Sequence, residues 1–429
     1  MILTVSAVST LAYLVALIGF RRKRVEQQVA FLIIFLAGTA VIGELDVLLP
    51  IYFVFSFLPF VPRIRKLSSF TAFISLYLLI YLFVGLAFQN PTRTLVTFIA
   101  KMWQFVVFFI ICDEDIRLGD PDYKPVLWIA IIVETVLGFY LMFTSTMIDS
   151  LNGLVRLVNN GQPITGNIAT FALPLSAYYY MKNRDSSKNT RFLLWANLYY
   201  LIWIVLSGTR GYTMEYVAVM GFIFYDYFVN SRVGTTTQRN RIITFFAIAA
   251  FGIILVVVVP GILEKASSVL RLKSSVGIRT FENAAVKDFI KDAPLTEVIF
   301  GIGLGGTGFE HEAMRNALYK QFSLGMWNRN HYILESGTLF HSLYSNITMC
   351  LGLLGILITI MIFINMWKRV NIACRDNVFI RRIMHAFQIS FFLMNYYRWS
   401  ADCGIAEMIL FALILKLISS QEAETEIAY

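Results

Sequence analysis

Arg210, Arg279 and His341 are the side chains whose types and settings could do chemistry in this chain. Arg210 lies in Ser207-Gly208-Thr209-Arg210-Gly211, a small polar break between two apolar runs. A guanidinium there can bind an anion while its small neighbours let backbone approach the ligand closely. The plainer reading is an interfacial arginine whose stem lies in lipid and whose head lies in water. Arg279 opens the segment 279–290, in which Phe281, Ala284, Ala285, Val286, Phe289 and Ile290 fall at helical spacing. This spacing predicts an amphipathic helix lying on a membrane surface or on a helix bundle. Alone, Arg279 reads equally well as a lipid-headgroup contact. Two fixed, permanently charged, forked donors on one side of a membrane suit a diphosphate.

His341 stands in Leu339-Phe340-His341-Ser342-Leu343-Tyr344, where a polar interval gives way to an apolar run. A neutral imidazole can take a proton from an attacking hydroxyl, so His341 is a candidate general base. The alternative is a packed polar residue at an interface. His311 and His331 lie in polar sequence without such a setting and are expected to be solvated. The glycines Gly301, Gly303, Gly305 and Gly306 follow no strand, so they predict a tight turn and not a dinucleotide fingerprint. Cys112, Cys350, Cys374 and Cys403 lack metal-ligand spacing, and neither a zinc site nor a disulfide framework is expected.

The elements that must hold these groups are apolar. The 429 residues are 58% hydrophobic against 15% charged, and their mean hydropathy is +0.67. A soluble core could not cover that much apolar surface, so the composition predicts a polytopic membrane protein. Runs long enough to cross about 30 Å of hydrocarbon recur along the chain. Among them are residues 67–88, 95–112, 127–147, 165–181, 192–206, 212–228, 242–260, 343–367, 387–397 and 404–417. Residues 1–20 make a retained first span and 29–62 a hairpin of two short ones, giving about 12–13 spans. Continuous apolar runs exclude a β-barrel. Lys and Arg gather in alternate loops, which accounts for the net charge of +9 without nucleic acid. By that rule Arg156, in the outer loop 150–163, shares the outer face with Arg210 and the long polar interval. The expected fold is all-α: a transmembrane bundle over 1–260, a large extracytoplasmic loop with short helices over 261–341, returning helices over 342–420 and a cytosolic tail over 421–429.

Read in order, Gly208-Thr209-Arg210-Gly211, Arg279 with its helix, Pro294, Gly301-Ile302-Gly303-Leu304-Gly305, and His341 with Leu351-Gly352-Leu353-Leu354-Gly355 resemble the O-antigen polymerase and ligase superfamily. The likeness covers roughly residues 167–367. It departs from the family pattern at Asn283, where members often have Trp, and at Ser342, where they often have Asn. The resemblance implies a GT-C-like glycosyltransferase of the cytoplasmic membrane that needs no metal or other cofactor. Its donor would be a glycan on undecaprenyl diphosphate, and its surroundings membrane lipid, with a chain-length regulator as protein partner. Arg210 and Arg279 would hold the diphosphate. His341 or Glu282 would take the acceptor proton, and Arg156 and Arg315 would add phosphate or glycan contacts. Phe309, Tyr319, Trp327 and Tyr332 would stack on sugar rings or form a small core in the loop. A ligase that uses another acceptor shares the donor half of this site. A transporter of the same lipid would need charges along a buried path, whereas Lys101, Glu134 and Asp226 are scattered and no inverted repeat is visible.

Overall fold

The computed structural model describes residues 67–98, 102, 104–113, 148–151, 154–159, 162–163, 275–306, 309–326, 328–330, 340, 342–375, 378–397, 411–412, 415–416 and 418–419. Helix α1, Ser69–Phe88, fills the expected run 67–88. It starts where the Ser68 side chain accepts the Thr71 N–H at 3.2 Å. Asn90 then caps α2, Pro91–Thr97, with proline in the first turn, where its missing N–H costs nothing. The expected run 95–112 takes in the end of α2 and all of α3, Gln104–Cys112, with Phe98 and Met102 between them in π-helical turns.

The expected outer loop 150–163 contains a three-stranded antiparallel sheet: β1, Ile148–Leu151; β2, Leu154–Asn159; and β3, Gln162–Pro163. Leu151 pairs with Leu154 and Asn159 with Gln162, so each link has two residues. Those links are Asn152-Gly153 and Asn160-Gly161, the dipeptide that two-residue hairpins favour. Elsewhere the described residues form helices and their connections, as the all-α expectation requires.

The long polar interval contributes α4, Ser275–Asp292; α5, Leu295–Phe300; and α6, Glu312–Ser323. Helix α7, Leu343–Ala373, runs past the expected 343–367, and α8, Val378–Tyr397, begins nine residues before the apolar core 387–397. Both overruns carry basic pairs, Lys368-Arg369 in one and Arg381-Arg382 in the other, which interrupt a hydropathy run but not a helix.

Helix α7 is broken at Gly352, whose φ of 67° is outside the helical region. The glycine turn fills the break. Ile302 and Gly303 donate their N–H groups to the carbonyls of Met349 and Cys350 at 2.8 and 3.0 Å. Positive φ at Gly301, Gly303 and Gly305 gives the turn its shape. From the other side, Tyr81 donates to the Phe300 carbonyl, Gln89 to Ile302 and Thr94 to Leu304, each at 2.9 Å. The turn is thus held between α7 and the α1–α2 corner.

Helices α1 and α7 are long and apolar enough to cross a membrane. On α1, Thr71, Ile74, Leu78, Tyr81 and Gly85 are buried, while Phe73, Leu76, Ile80, Phe83 and Phe88 are exposed. On α7, Leu353, Leu357, Ile360 and Ile364 form an exposed stripe at helical spacing. Large apolar faces of this kind suit hydrocarbon and not water. An aromatic cluster joins Phe108 of α3, Phe387 of α8 and Phe411, with Phe108–Phe411 and Phe387–Phe411 centroids 5.6 and 5.0 Å apart.

Candidate functional site

Helix α4 is a two-sided wedge. Phe281, Ala285 and Phe289 are buried on it, and Phe281 stacks on Phe322 of α6 with centroids 4.8 Å apart. The same pair of helices shares a polar node. Asp288 accepts from the Gln321 side-chain amide and pairs with Lys320 at 3.2 Å. Burial alone would raise the Asp288 carboxyl, but the bonds from Gln321 and Lys320 outweigh it and hold the group below its ordinary range. These contacts fix α4 on α6 and leave its other side to α7.

That other side carries Asn283, whose Oδ1 accepts from the Ser345 hydroxyl at 3.2 Å; its neighbour in sequence, Glu282, is fully buried. Arg279 lies one helical turn before Asn283 and is half-buried. Ser345 is the third residue of α7, so this bond ties the arginine-bearing turn to the start of α7.

The start of α7 is itself built by one side chain. The Asn346 amide donates to the carbonyls of Phe340 and Ser342 at 2.6 and 2.8 Å, and its Oδ1 accepts the Phe340 N–H at 3.2 Å. These three bonds join residues 340 and 342 to the first turn of α7. Ser342 is the N-cap residue, yet its side chain makes no capping bond. It is fully buried, and its hydroxyl has no hydrogen-bond partner among the described residues.

Arg279 and Glu282 are thereby brought onto one helix, three residues apart, beside the α7 start. Arg210 and His341 lie outside the described residues, as do His331, Trp327 and Tyr332. Arg156 occupies β2 opposite Asp149. Arg315 is half-buried on α6, and its N–H donates to the His311 carbonyl at 2.8 Å.

His311 is not simply solvated as expected. Its Nε2 lies 3.4 Å from Glu297 of α5, and its ring meets Phe289 edge-on at 6.3 Å. Phe309 is half-buried and aligned with Phe322, while Tyr319 carries the Arg329 guanidinium over its ring at 4.9 Å. Both belong to the loop's own packing. The expected absence of a disulfide framework concerns Cys112, Cys350 and Cys374, which are buried free thiols here, while Cys403 lies outside the described residues. Sequence reasoning passed over Asn283, Ser345 and Asn346 as contacts, although polar residues at the head of an apolar run were the signal for them.

No protein-family model matches this chain, and no curated protein matches it significantly. The functional reading therefore rests on the residues and on their arrangement.

Chemically, the arrangement offers a guanidinium on α4, a buried carboxylate one turn away and the amide-rich first turn of a long helix. Helix N-termini and guanidiniums both favour oxyanions, the first through partial positive charge and free N–H groups and the second through forked donors. Uniting such groups from segments some 60 residues apart in sequence needs the α4–α7 contact, which the Asn283–Ser345 bond supplies.

Proposed function

We propose that this chain is an integral-membrane glycosyltransferase that joins undecaprenyl-diphosphate-linked oligosaccharide repeat units on the outer face of the cytoplasmic membrane, a polymerase of O-antigen or capsular polysaccharide. The observation that carries the reading is the Asn283–Ser345 bond. It sets the turn bearing Arg279 against the first turn of α7, whose first residue, Leu343, follows His341 by two positions in the sequence.

In the proposed reaction the bond between the donor sugar's anomeric carbon and the diphosphate oxygen breaks, and a bond from that carbon to the acceptor hydroxyl oxygen forms. The acceptor proton passes to His341, and undecaprenyl diphosphate leaves with both electrons of the broken bond. Arg210 and Arg279 hold the diphosphate and match the charge growing on its departing oxygen. Glu282, three residues after Arg279 on α4, is the alternative base. Arg156 and Arg315 serve as outlying phosphate or glycan contacts. Positioning of donor and acceptor supplies much of the remaining rate.

The test is to give purified full-length protein a defined lipid-linked repeat unit and nothing else. A ladder of longer lipid-linked chains is expected. Reaction only after a different acceptor is added would mark a ligase, and movement of the lipid without lengthening would mark a transporter. Arg279→Ala should lower chain growth by about 10²–10³-fold, the usual scale for losing one donor to a developing oxyanion. Arg279→Lys should recover only part of it, because a point charge replaces a fork. Unchanged product length in Arg279→Ala would remove that residue from the mechanism.

A further inference from the structure

We infer that the first turn of α7 is an oxyanion-binding site formed by the Ser342 hydroxyl and the N–H groups of Leu343, Tyr344 and Ser345, and that its ligand is a phosphate group. Three observations converge on it. The first helical bond of α7 runs from the Asn346 N–H to the Ser342 carbonyl at 3.1 Å. The three amides before it therefore have no acceptor within the helix. Ser342 has the extended conformation of a capping residue, φ −95° and ψ 133°, in which a serine oxygen ordinarily accepts one of those N–H groups. It accepts none, although the residue is fully buried and its Oγ has no partner among the described residues.

A buried hydroxyl without a bond is unfavourable unless something else uses it. A phosphate oxygen at the helix end would accept from the amides and from the hydroxyl together. The site is also rigid before any ligand arrives, because Asn346 ties residues 340 and 342 to the first turn. Asn283 engages Ser345 through the Ser345 hydroxyl, which donates to the Asn283 side-chain oxygen. Arg279, one turn from Asn283, supplies positive charge on the same side of α4.

The inference rests on the glycosyltransferase reading only for the identity of the phosphate, which there is the diphosphate of the lipid-linked donor. Its test is binding and not turnover. Full-length protein in lipid nanodiscs is titrated with inorganic pyrophosphate, and separately with vesicles carrying undecaprenyl diphosphate, with phosphatidylglycerol vesicles as the anionic control. Wild type should bind pyrophosphate or the undecaprenyl diphosphate vesicles in preference to the control. Ser342→Asp keeps a strong N-cap and so retains the helix, but its carboxylate occupies the anion's place. It should weaken binding at least about tenfold. Ser342→Thr, which keeps the hydroxyl, should stay within about threefold of wild type, and Ser342→Ala should fall between the two.

Unchanged affinity in Ser342→Asp, with its unfolding midpoint retained, overturns the site. If Ser342→Asp does not fold, equal affinities in Ser342→Ala and Ser342→Thr overturn it. Binding of neither phosphate probe by wild type, or equal binding of phosphatidylglycerol vesicles, overturns it as well. Ser342-dependent binding with no lengthening of lipid-linked units would leave the site standing and end the polymerase reading. Lengthening that is indifferent to Ser342→Asp would do the reverse.

Discussion

Asp288 shows how one carboxylate can fix the α4 wedge that presents Arg279. Its oxygens serve Gln321, a buried residue, and Lys320, a half-exposed one. Removing the acceptor leaves the Gln321 amide buried without a bond, which costs about 1–3 kcal/mol. Asp288→Ala is therefore expected to lower the unfolding midpoint clearly, whereas Asp288→Asn, which keeps an acceptor for Gln321, should cost less. The pH dependence follows from the directions of the shifts. The folded Asp288 carboxyl titrates below its unfolded value, so its contribution is complete above about pH 4 and is lost as pH falls through the folded value. Lys320 is shifted upward, chiefly by its bond to Asp288, so its contribution is complete below about pH 10 and disappears as pH rises through the folded value. Melting curves at pH 7 and pH 3 check this. Wild type should lose more stability between the two than Asp288→Asn, and equal losses would remove Asp288 from the acid response.

At the level of elements, the crossing of the glycine turn with α7 is the least forgiving contact. A Cβ at Gly352 would lie 2.3 Å from the Ile299 carbonyl oxygen, and one at Gly301 would lie 2.4 Å from the Cys350 carbonyl carbon. Both glycines also have positive φ, which disfavours any L side chain. Gly325 has φ of 70° too, but open space where its Cβ would stand. Gly325→Ala should therefore cost only about 1 kcal/mol, whereas Gly301→Ala and Gly352→Ala add backbone overlap and should abolish the folded yield. Size-exclusion profiles of the three variants, expressed side by side, decide it. Much of this level was legible in sequence: α1, the α4 periodicity and the glycine turn all follow from local spacing. The α7 break was not, because Leu351-Gly352-Leu353 reads as unbroken hydrophobicity and its cause is a partner some 50 residues earlier. The sheet at 148–163 was legible but passed over. Two Asn-Gly pairs flank a β-prone run, and reading for spans hid a period of two beneath a search for length. The site was legible as residue types; its geometry depends on Asn283 and Asn346, whose bonds only folding reveals.

At the level of the whole molecule, one buried carboxylate gathers segments from across the chain. Asp113 follows α3 and is almost fully buried. One of its carboxylate oxygens accepts the Ser68 N–H at 2.8 Å, just before α1. The other pairs with Arg369 near the end of α7 at 3.0 Å. Its backbone carbonyl accepts from Lys416, more than 300 residues later. Arg369 also donates to the Cys112 carbonyl at 3.3 Å, so the junction of α1, α3, α7 and the last helical residues is cross-braced. The two halves of the ion pair are unequally exposed, the Arg369 side chain at 26% and that of Asp113 at 4%. Deleting either should therefore have unequal effects. Asp113→Asn leaves a guanidinium that can turn to water and keeps an acceptor for Ser68. Arg369→Ala leaves a carboxylate that cannot leave the interior and retains only the Ser68 N–H among these two bonds. Breaking a buried pair from one side typically costs about 3–5 kcal/mol when the survivor is trapped. Arg369→Ala should approach that figure and Asp113→Asn should fall well below it. The double variant Asp113→Asn/Arg369→Met should recover much of the loss, because it removes both charges and keeps the volume. Unfolding midpoints in one detergent, measured for the two single variants and the double, test the asymmetry. Equal midpoints for the singles would mean that the Asp113 environment is wetter than its burial indicates.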